Sequence, residues 1–447
     1  MPDLIHNIGH LVTMDEKRTV HTDAWIITES GTVTAVGSGK IPEGDFAQHI
    51  DAQGGIATPG LINTHHHFYQ TMARAYTPGN NATLLPWLAA MNSNFRGFTT
   101  EDLHLVSQLA LAEMMLTGCT TAADHHYIVP RGTPEHHDAQ FAAAKELGVR
   151  FHCGRGAMDK PSELNPPEVC QSADAIFADM ERLLATYHDT SPGSMQQVFL
   201  APCAATSCTE EFLKDSATFA KQHHIPLHIH CGETEAENAY SHEHFGERPV
   251  PYLANLGWDF SGVYFAHGIH FTDEEVAFLG ERQMGVAHCP YANMRLGSGI
   301  CRVGDLRAAG ASVGIGVDGS GSNDSGHVLG ELRQALMLAR VRYGPSAMTA
   351  MQALEIGTLE GAKILKRTDI GSITPGQCAD LAIFPAVDLF SSGHENPVDA
   401  LLLCWPRTVD ILIIHGKVRI RNSAFVDLDL EALIAQHHAR AKVVREM

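Results

Sequence analysis

The chain has 447 residues, 44% of them hydrophobic, and a formal net charge of -20. This balance is typical of a globular protein with a large core, and the negative charge argues against nucleic acid and anionic membranes as partners. No apolar run reaches the roughly 20 residues of a membrane span, and no signal peptide is visible after Met1. The ten cysteines show no paired spacing, so we expect reduced thiols in the cytoplasm.

Both ends of the chain have the alternating patterns of β-strands. The first 57 residues contain three predicted strands, with a hairpin turn at Glu29-Ser30-Gly31 between the second and third. The predicted elements of the two ends are Ile5–Thr13, Ala24–Thr28, Thr32–Val36, Asp380–Phe384, Asp410–Ile420 and a helix over Leu428–Glu446. We expect residues 1–57 and 371–447 to form one small β-sandwich domain that carries a C-terminal helix.

Residues 58–370 alternate short apolar runs with amphipathic helices. The predicted strands are Ile56–Thr64, Cys119–Asp124, Val149–Cys153, Val198–Cys203, Pro226–Cys231, Val263–His267, Gly285–Cys289 and Ser312–Asp318. A helix is predicted over Thr100–Thr117, with a cap from Thr99 and Asp102 and a stop at Gly118. The other predicted helices are Pro134–Leu147, Glu210–Gln222, Asp273–Arg282 and Gly326–Arg342. Eight β-then-α units predict an α/β fold closed as a (β/α)8 TIM barrel.

The first predicted barrel strand ends in three consecutive histidines, His65, His66 and His67. Side chains alternate across a strand, so His65 and His67 share a face and can close on one metal ion. The alternative is a histidine-rich surface turn, in a chain with 28 histidines.

The active site of a β/α barrel lies at the carboxyl ends of its strands. Four later strand ends carry metal-competent side chains, namely His230, His267, His288 and Asp318. A catalytic zinc takes about three protein ligands plus water, which His65, His67 and one histidine of the fifth strand supply, with Asp318 as a carboxylate. We favour His230 over His228 because it lies nearer the strand end, and His228 is then barrel packing or a support for the ligands.

Glu233 lies three residues beyond His230, where a carboxylate can take the proton of a metal-activated water and return it to a leaving group. The alternative for Glu233 is a solvated loop glutamate. His267 fits as a partner for the same water. His288 stays open, because a residue followed by Cys289 and Pro290 could merely buttress the site.

These motifs resemble the amidohydrolase superfamily, in its branch of guanine, cytosine and 8-oxoguanine deaminases and triazine hydrolases. The matching segments are PGLINTHHH (59–67), HCGET (230–234), AHG (266–268), HCPYANMRLGSG (288–299), GVDGS (316–320), GSI (371–373), PG (375–376) and ADL (379–381). The resemblance implies a distorted (β/α)8 barrel with one divalent metal, held by His65, His67, His230 and Asp318. It also implies Glu233 and His267 as the catalytic pair, with Asp318 assisting, and no carbamylated lysine is evident.

Within this branch the sequence most resembles the 8-oxoguanine deaminases, and nearly as much the isoxanthopterin deaminases. Gln70 matches a position where relatives hydrogen-bond a heterocyclic amide. Trp87 could stack on a flat ring, or anchor its loop. Cys203 stands where guanine deaminases carry arginine, which makes guanine a poor substrate, whereas Ala204-Ala205 departs from the bulkier pair of the 8-oxoguanine enzymes and leaves the size of the ring open.

The resulting hypothesis is a metal-dependent hydrolase of cyclic amidines that deaminates 8-oxoguanine to urate and ammonia. The alternatives are deamination of isoxanthopterin or another pterin, and a triazine-type chloro- or aminohydrolase. A catalytically inactive barrel that serves as a binding subunit is disfavoured because no ligand is missing. We expect zinc, with Fe²⁺ as the alternative, and, from the relatives, a homo-oligomer whose only other partner is a small heterocycle.

Overall fold

Two sheets of different kinds organise the chain. The computed structural model describes residues 1–92, 95, 97–130, 133, 135–162, 164–404 and 407–445. Eight parallel strands close into a barrel, and nine strands from the two ends of the chain form a separate mixed sheet. The predicted fold class, a TIM barrel with a β unit built from both ends, is confirmed.

The mixed sheet takes its strands from before and after the barrel. Its first five strands are β1 (Asp3–Val12), β2 (Val20–Glu29), β3 (Thr32–Ser38), β4 (His49–Asp51) and β5 (Ile56–Pro59). The barrel follows, with β6 (Leu61–Asn63), β7 (Cys119–His126), β8 (Arg150–Ala157), β9 (Gln196–Pro202), β10 (Leu227–Cys231), β11 (Val263–His267), β12 (Gly285–His288) and β13 (Ser312–Ile315). The last four strands return to the mixed sheet and are β14 (Leu381–Phe384), β15 (Ile411–Ile414), β16 (Lys417–Arg421) and β17 (Ala424–Phe425). β5 joins the two halves, because it pairs parallel with β1 and antiparallel with β14.

The single strand predicted over Ile56–Thr64 is two strands in two sheets. The amide of Gly60 donates to the carbonyl of Asp380 in the mixed sheet (2.9 Å), whereas the amide of Leu61 donates to the carbonyl of Gly118 beside the barrel (2.8 Å). A Cβ at Gly60 would collide with the side chain of Thr120, so the crossing requires glycine. Both segments are fully buried. Because buried strands are continuous apolar runs, the hydrophobic pattern alone predicts one strand here.

Helices surround the barrel and connect its strands. They are α1 (Leu84–Asn92), α2 (Thr100–Leu116), α3 (His136–Leu147), α4 (Ala173–Tyr187), α5 (Glu210–His223), α6 (Glu235–Phe245), α7 (Pro249–Asn255), α8 (Asp273–Glu281), α9 (Pro290–Arg295), α10 (Val303–Ala309), α11 (Val328–Tyr343), α12 (Ala350–Glu355), α13 (Gly361–Ile364), α14 (Pro397–Leu403) and α15 (Leu430–Val444). The predicted cap is present, since Thr99 and Asp102 form a reciprocal capping box. Pro134, the predicted first residue of α3, lies outside the described residues.

One buried and one partly buried ion pair tie the ends of the chain to the barrel. The guanidinium of Arg150 in β8 donates to the carboxylate of Asp380 ahead of β14, with Nε 2.5 Å from Oδ2. On the other side, Arg440 of α15 donates to Asp102 of α2 at 2.8 Å. None of the helices in the described part of the chain has the length and apolar character needed to cross a membrane.

Candidate metal centre and active site

Four predicted ligands meet at the carboxyl end of the barrel. His65 and His67 follow β6, His230 is the last residue but one of β10, and Asp318 follows β13. The Nε2 atoms of His65 and His67 each lie 3.3 Å from Oδ1 of Asp318. The Nε2 atoms of His67 and His230 are 3.1 Å apart.

Main-chain carbonyls orient two of these imidazoles. Nδ1 of His67 donates to the carbonyl of His125 at 2.7 Å, and Nδ1 of His230 donates to the carbonyl of Cys203 at 2.6 Å. A carbonyl oxygen only accepts, so each Nδ1 carries a proton and, in a neutral ring, each Nε2 presents a lone pair. Burial lowers the pKa of His230 well below its ordinary value, which keeps this ring neutral. Two facing lone pairs repel each other unless a cation lies between them.

His65 is oriented by a second histidine. Nδ1 of His228 donates to the carbonyl of Tyr264 at 2.9 Å, so its Nε2 accepts a hydrogen bond from Nδ1 of His65 at 2.8 Å. Nε2 of His65 is then a buried lone pair with no hydrogen-bond partner in the described part of the chain. His228 thus orients a predicted ligand, in the way that metal-binding histidines usually require.

Asp318 completes the donor set. Its Oδ2 accepts a hydrogen bond from the hydroxyl of Ser322 at 2.8 Å, which leaves Oδ1 toward the imidazoles. Burial alone would raise the pKa of Asp318, but the neighbouring imidazoles of His65, His67 and His267 outweigh burial and hold this pKa well below its usual range. Three imidazole nitrogens and one carboxylate oxygen fit a divalent metal ion.

His125 is a further candidate that sequence reasoning missed. His65, His67, His125 and His230 offer donor atoms that all lie within 4.8 Å of one another, as do His65, His230, His267 and Asp318. Nε2 of His125 donates to the carbonyl of Ala201 at 2.8 Å, and its Nδ1 is buried without a described partner. The predicted strand ended at Asp124, one residue too early to place His125 at the carboxyl end of the barrel.

Glu233 and His267 lie beside the metal cluster. Oε2 of Glu233 is 3.6 Å from Nε2 of His267, and Nδ1 of His267 lies 2.9 Å from Oδ1 of Asn293. Burial raises the pKa of Glu233. Burial alone would lower the pKa of His267, but the charges of Glu233 and Asp318 outweigh it and raise this pKa. A carboxyl group with a raised pKa beside an imidazole is suited to take up a proton and to release it again.

Two of the predicted site residues have left-handed backbone conformations. His267 has a φ of 73° and Asp318 a φ of 60°. Non-glycine residues rarely adopt such angles, and they cluster at active sites when the surrounding structure holds them in place. His267 is the last residue of β11, and Asp318 lies three residues beyond β13. The side chains of both residues belong to the cluster at this end of the barrel.

A cavity of about 420 Å³ opens over this cluster. It is lined by His67, His230, Glu233, His267 and Asp318, and also by the three predicted substrate residues Gln70, Trp87 and Cys203. Gln70 and Trp87 are joined through one residue, because Oε1 of Gln70 accepts from the amide of Gly321 (3.2 Å) and Nε1 of Trp87 donates to its carbonyl (3.0 Å). Burial raises the pKa of the Cys203 thiol to about 12, so this wall carries no charge there.

The structure separates other residues that the sequence left open or did not suggest. His288 is buried and absent from the cavity wall, and burial lowers its pKa to about 3. Tyr127, Lys160 and Glu237 do line the cavity. Glu237 could have been found from its spacing, since it follows Glu233 by four residues, and its Oε2 accepts a hydrogen bond from the amide of Glu233 at 2.9 Å. Burial raises the pKa of Glu237 to about 7.

Comparison with known proteins places this site in a family. Residues 56–419 match the model of the amidohydrolase family. An 8-oxoguanine deaminase from Pseudomonas aeruginosa is 44% identical over 94% of each chain. An isoxanthopterin deaminase from an unknown prokaryotic organism is 32% identical over 90% of each chain.

A solved structure shows the same architecture with a metal. The atrazine chlorohydrolase of Arthrobacter aurescens, determined as a complex with zinc, superposes with a TM-score of 0.94 at 28% identity, over 98% of this chain and 99% of that chain. A zinc-bound neighbour and the histidine–aspartate cluster together support a divalent metal at the carboxyl end of this barrel. The chain belongs to the amidohydrolase family, and it is a metal-dependent hydrolase that acts on carbon–nitrogen bonds.

Proposed function

We propose that the protein deaminates 8-oxoguanine to urate and ammonia. The observation that carries this proposal is the 44% identity, over 94% of both chains, to an 8-oxoguanine deaminase. The cavity supports it, because a volume of about 420 Å³ is within the usual range for a small-molecule site.

We propose zinc as the metal, one ion per chain, with His65, His67, His230 and Asp318 as its ligands. The donor set supports zinc, which binds imidazole nitrogen and carboxylate oxygen in catalytic sites with an open position for water. A divalent ion held there supplies a Lewis acid that lowers the pKa of a water molecule toward about 7.

The residues around the cluster then handle protons. Asp318 accepts one hydrogen of the attacking water, His267 orients the water, and Glu233 takes the other hydrogen as a proton. The oxygen adds to the ring carbon that bears the amino group, and Glu233 passes its proton to the adjacent ring nitrogen. A second transfer through Glu233 protonates the amine, the carbon–nitrogen bond breaks, and ammonia leaves an oxo group on the ring.

The remaining cavity residues hold the ring. We assign Trp87 to stacking, a contact that contributes about 0.5–1.5 kcal/mol beyond burial, and Gln70 to hydrogen bonding with the ring amide. Cys203 offers a neutral thiol where an arginine would add a charge. This neutral wall suits an uncharged ring.

The test is ammonia release from zinc-loaded protein with 8-oxoguanine, isoxanthopterin, guanine and cytosine, each at several concentrations. We expect the highest kcat/KM for 8-oxoguanine, urate as the product, and no release from protein treated with a chelator until metal is restored. Reloading with Zn²⁺ or Fe²⁺ in parallel identifies the ion that supports turnover. Absence of ammonia from every ring would contradict the proposal.

Deamination of isoxanthopterin is the second candidate. Ala204 lines the cavity, and a small side chain there leaves room for a six–six ring system. A higher kcat/KM for isoxanthopterin than for 8-oxoguanine would establish this candidate, and chloride or alkylamine release from a triazine would establish the third.

The setting of the enzyme is also a proposal. By analogy with its relatives we propose a cytoplasmic homo-oligomer. We also propose that it has no nucleic-acid partner, and the net charge of -20 supports this second point. Light scattering on the purified protein tests the oligomeric state, and a single-chain mass would contradict it.

A further inference from the structure

A hydrogen-bond relay connects two residues of the cavity wall, Gln70 and Tyr127, through the buried side chain of Tyr69, and its direction is set by the main chain. The amide of Gly321 donates to Oε1 of Gln70 at 3.2 Å, which identifies the oxygen end of the side-chain amide. The nitrogen end therefore faces Tyr69, and Nε2 donates to its hydroxyl at 3.2 Å. Because the Gln70 amide cannot be turned around without placing two donors together, the relay has one polarity.

The hydrogen-bond direction continues from Tyr69 to Tyr127. The hydroxyl oxygen of Tyr69 accepts from Gln70, so its own proton is donated to the hydroxyl of Tyr127, 3.0 Å away. The hydroxyl of Tyr127 accepts that bond and still has one proton to donate. No acceptor for this proton is recorded in the described part of the chain. Burial raises the pKa of Tyr127 well above its ordinary value, so the hydroxyl keeps its proton.

The ring of Tyr127 lies beside the clustered histidines. The side chain lines the cavity and is 4% exposed. Its ring centre lies 5.2 Å from that of His67 and 6.1 Å from that of His230. A buried donor without an acceptor is unfavourable, so the relay leaves one donor free for a molecule bound in the cavity.

We propose that Tyr127 determines substrate specificity by donating a hydrogen bond to an oxo group of the bound heterocycle. This inference rests on the proposed deaminase function and adds a substrate class to it, the amino-oxo heterocycles. Gln70 reinforces the selection, because its second amide proton is also unused by the described residues, whereas its oxygen is already occupied. This wall offers donors to the ring, so it selects a ring with an acceptor at that edge.

The alternative is that the tyrosine pair only packs between β6 and β7. Tyr69 and Tyr127 are in an edge-to-face arrangement with ring centres 5.8 Å apart, a contact that stabilises the wall in any case. If the pair only packs, removal of the Tyr127 hydroxyl should change kcat/KM by the same factor for rings with and without each oxo group. Specificity ratios therefore separate the two roles.

The experiment compares Tyr127→Phe with the unaltered enzyme on 8-oxoguanine and on two analogues that each lack one oxo group, guanine and 2-amino-8-oxopurine. We expect the kcat/KM ratio between 8-oxoguanine and one of these analogues to fall by roughly 5- to 10-fold, the loss of one neutral hydrogen bond. The lost oxo group identifies the atom that Tyr127 contacts. Unchanged ratios for both analogues would overturn the proposal.

A positioning variant and a matched control complete the test. Tyr69→Phe removes the donor that sets the direction of the Tyr127 hydroxyl, so the same ratio should fall by a smaller factor. Tyr252→Phe makes the same change at a buried tyrosine outside the cavity, whose hydroxyl has no described partner, and should leave the ratio unchanged. If the unaltered enzyme deaminates none of the rings, the proposed function fails; if it deaminates them and Tyr127→Phe keeps both ratios, only this inference fails.

Discussion

Nδ1 of His65 lies 2.8 Å from Nε2 of His228, and His228 in turn donates to the carbonyl of Tyr264. His228 is fully buried in β10, two residues before His230, and is absent from the cavity wall. One strand of the barrel thus supplies an imidazole of the cluster near its end and, one layer deeper, the residue that orients another imidazole.

This relationship predicts that His228→Phe weakens metal binding by about 10- to 100-fold, because Nδ1 of His65 loses the acceptor that sets its tautomer. Competition with a chelator of known affinity measures the change. His136→Phe is the control, since His136 is equally buried but neither of its ring nitrogens has a described partner. Equal metal affinity of the two variants would contradict the role of His228.

Glu233→Gln should lower kcat by about 10²- to 10⁴-fold, because an amide cannot carry the proton from water to the ring. The metal content per chain should stay unchanged, since Glu233 is not among the residues that fit the ion. Glu235→Gln serves as the control: Glu235 pairs with His270 through a side chain that is 75% exposed, and its loss should leave kcat unaltered. Turnover by Glu233→Gln at the normal rate would move the proton transfer to another residue.

Asp380→Ala should destabilise the protein by about 3–5 kcal/mol, because it leaves the guanidinium of Arg150 buried without its counter-ion. The measurement is the denaturant midpoint of unfolding, with Arg150→Met and the double variant closing a cycle. We expect the double variant to lose less than the sum of the two single variants. Glu43→Ala, which breaks an exposed pair with Lys40, is the control and should change the midpoint little.

Glu331 predicts a dependence of stability on pH. Burial raises its pKa from 4.5 to about 8, although the amide of Tyr291 and the side chain of Asn323 donate hydrogen bonds to it. Its protonated form stabilises the fold fully below pH 4.5, and this contribution is lost as the pH rises to about 8, because the unfolded chain ionises first.

The variant that tests this dependence is Glu331→Gln, which cannot ionise. We expect it to be less stable than the unaltered protein at pH 5. This gap in the free energy of unfolding should narrow by about 1.4 kcal/mol per pH unit on the way to pH 8. Thermal unfolding at a fixed heating rate measures the gap. Glu243→Gln, at an exposed helix position, should show a constant gap, and a constant gap for Glu331→Gln would contradict the prediction.

Local patterns predicted most of the fold. The capping box of Thr99 and Asp102 and the apolar face behind it define the start of α2, because these interactions lie within one turn of chain. The barrel strands could be placed for a similar reason, since buried parallel strands are short continuous apolar runs between helices. Active sites of barrels lie at the carboxyl ends of the strands, and this rule predicted His65, His67, His230 and Asp318 as ligands of one metal ion. The structure brings these four side chains together.

Long-range packing decided what the sequence could not. The division of the apolar run at Gly60 depends on the carbonyl of Asp380, which is 320 residues away in sequence, and on the side chain of Thr120. His125 lies in the part of β7 that extends two residues beyond the predicted strand, and Tyr127 directly follows this strand, so neither was a candidate.

The sequence by itself determined the barrel, the metal-binding residue types and the carboxylate beyond β10, because strand periodicity and residue chemistry are properties of short segments. Only the tertiary structure decided which nitrogen of each histidine faces the cluster, that His228 supports His65, and that the Gln70–Tyr69–Tyr127 relay ends in an unused donor. Hydrogen-bond direction depends on which carbonyl or amide lies opposite each side chain, and that neighbour comes from a distant part of the chain.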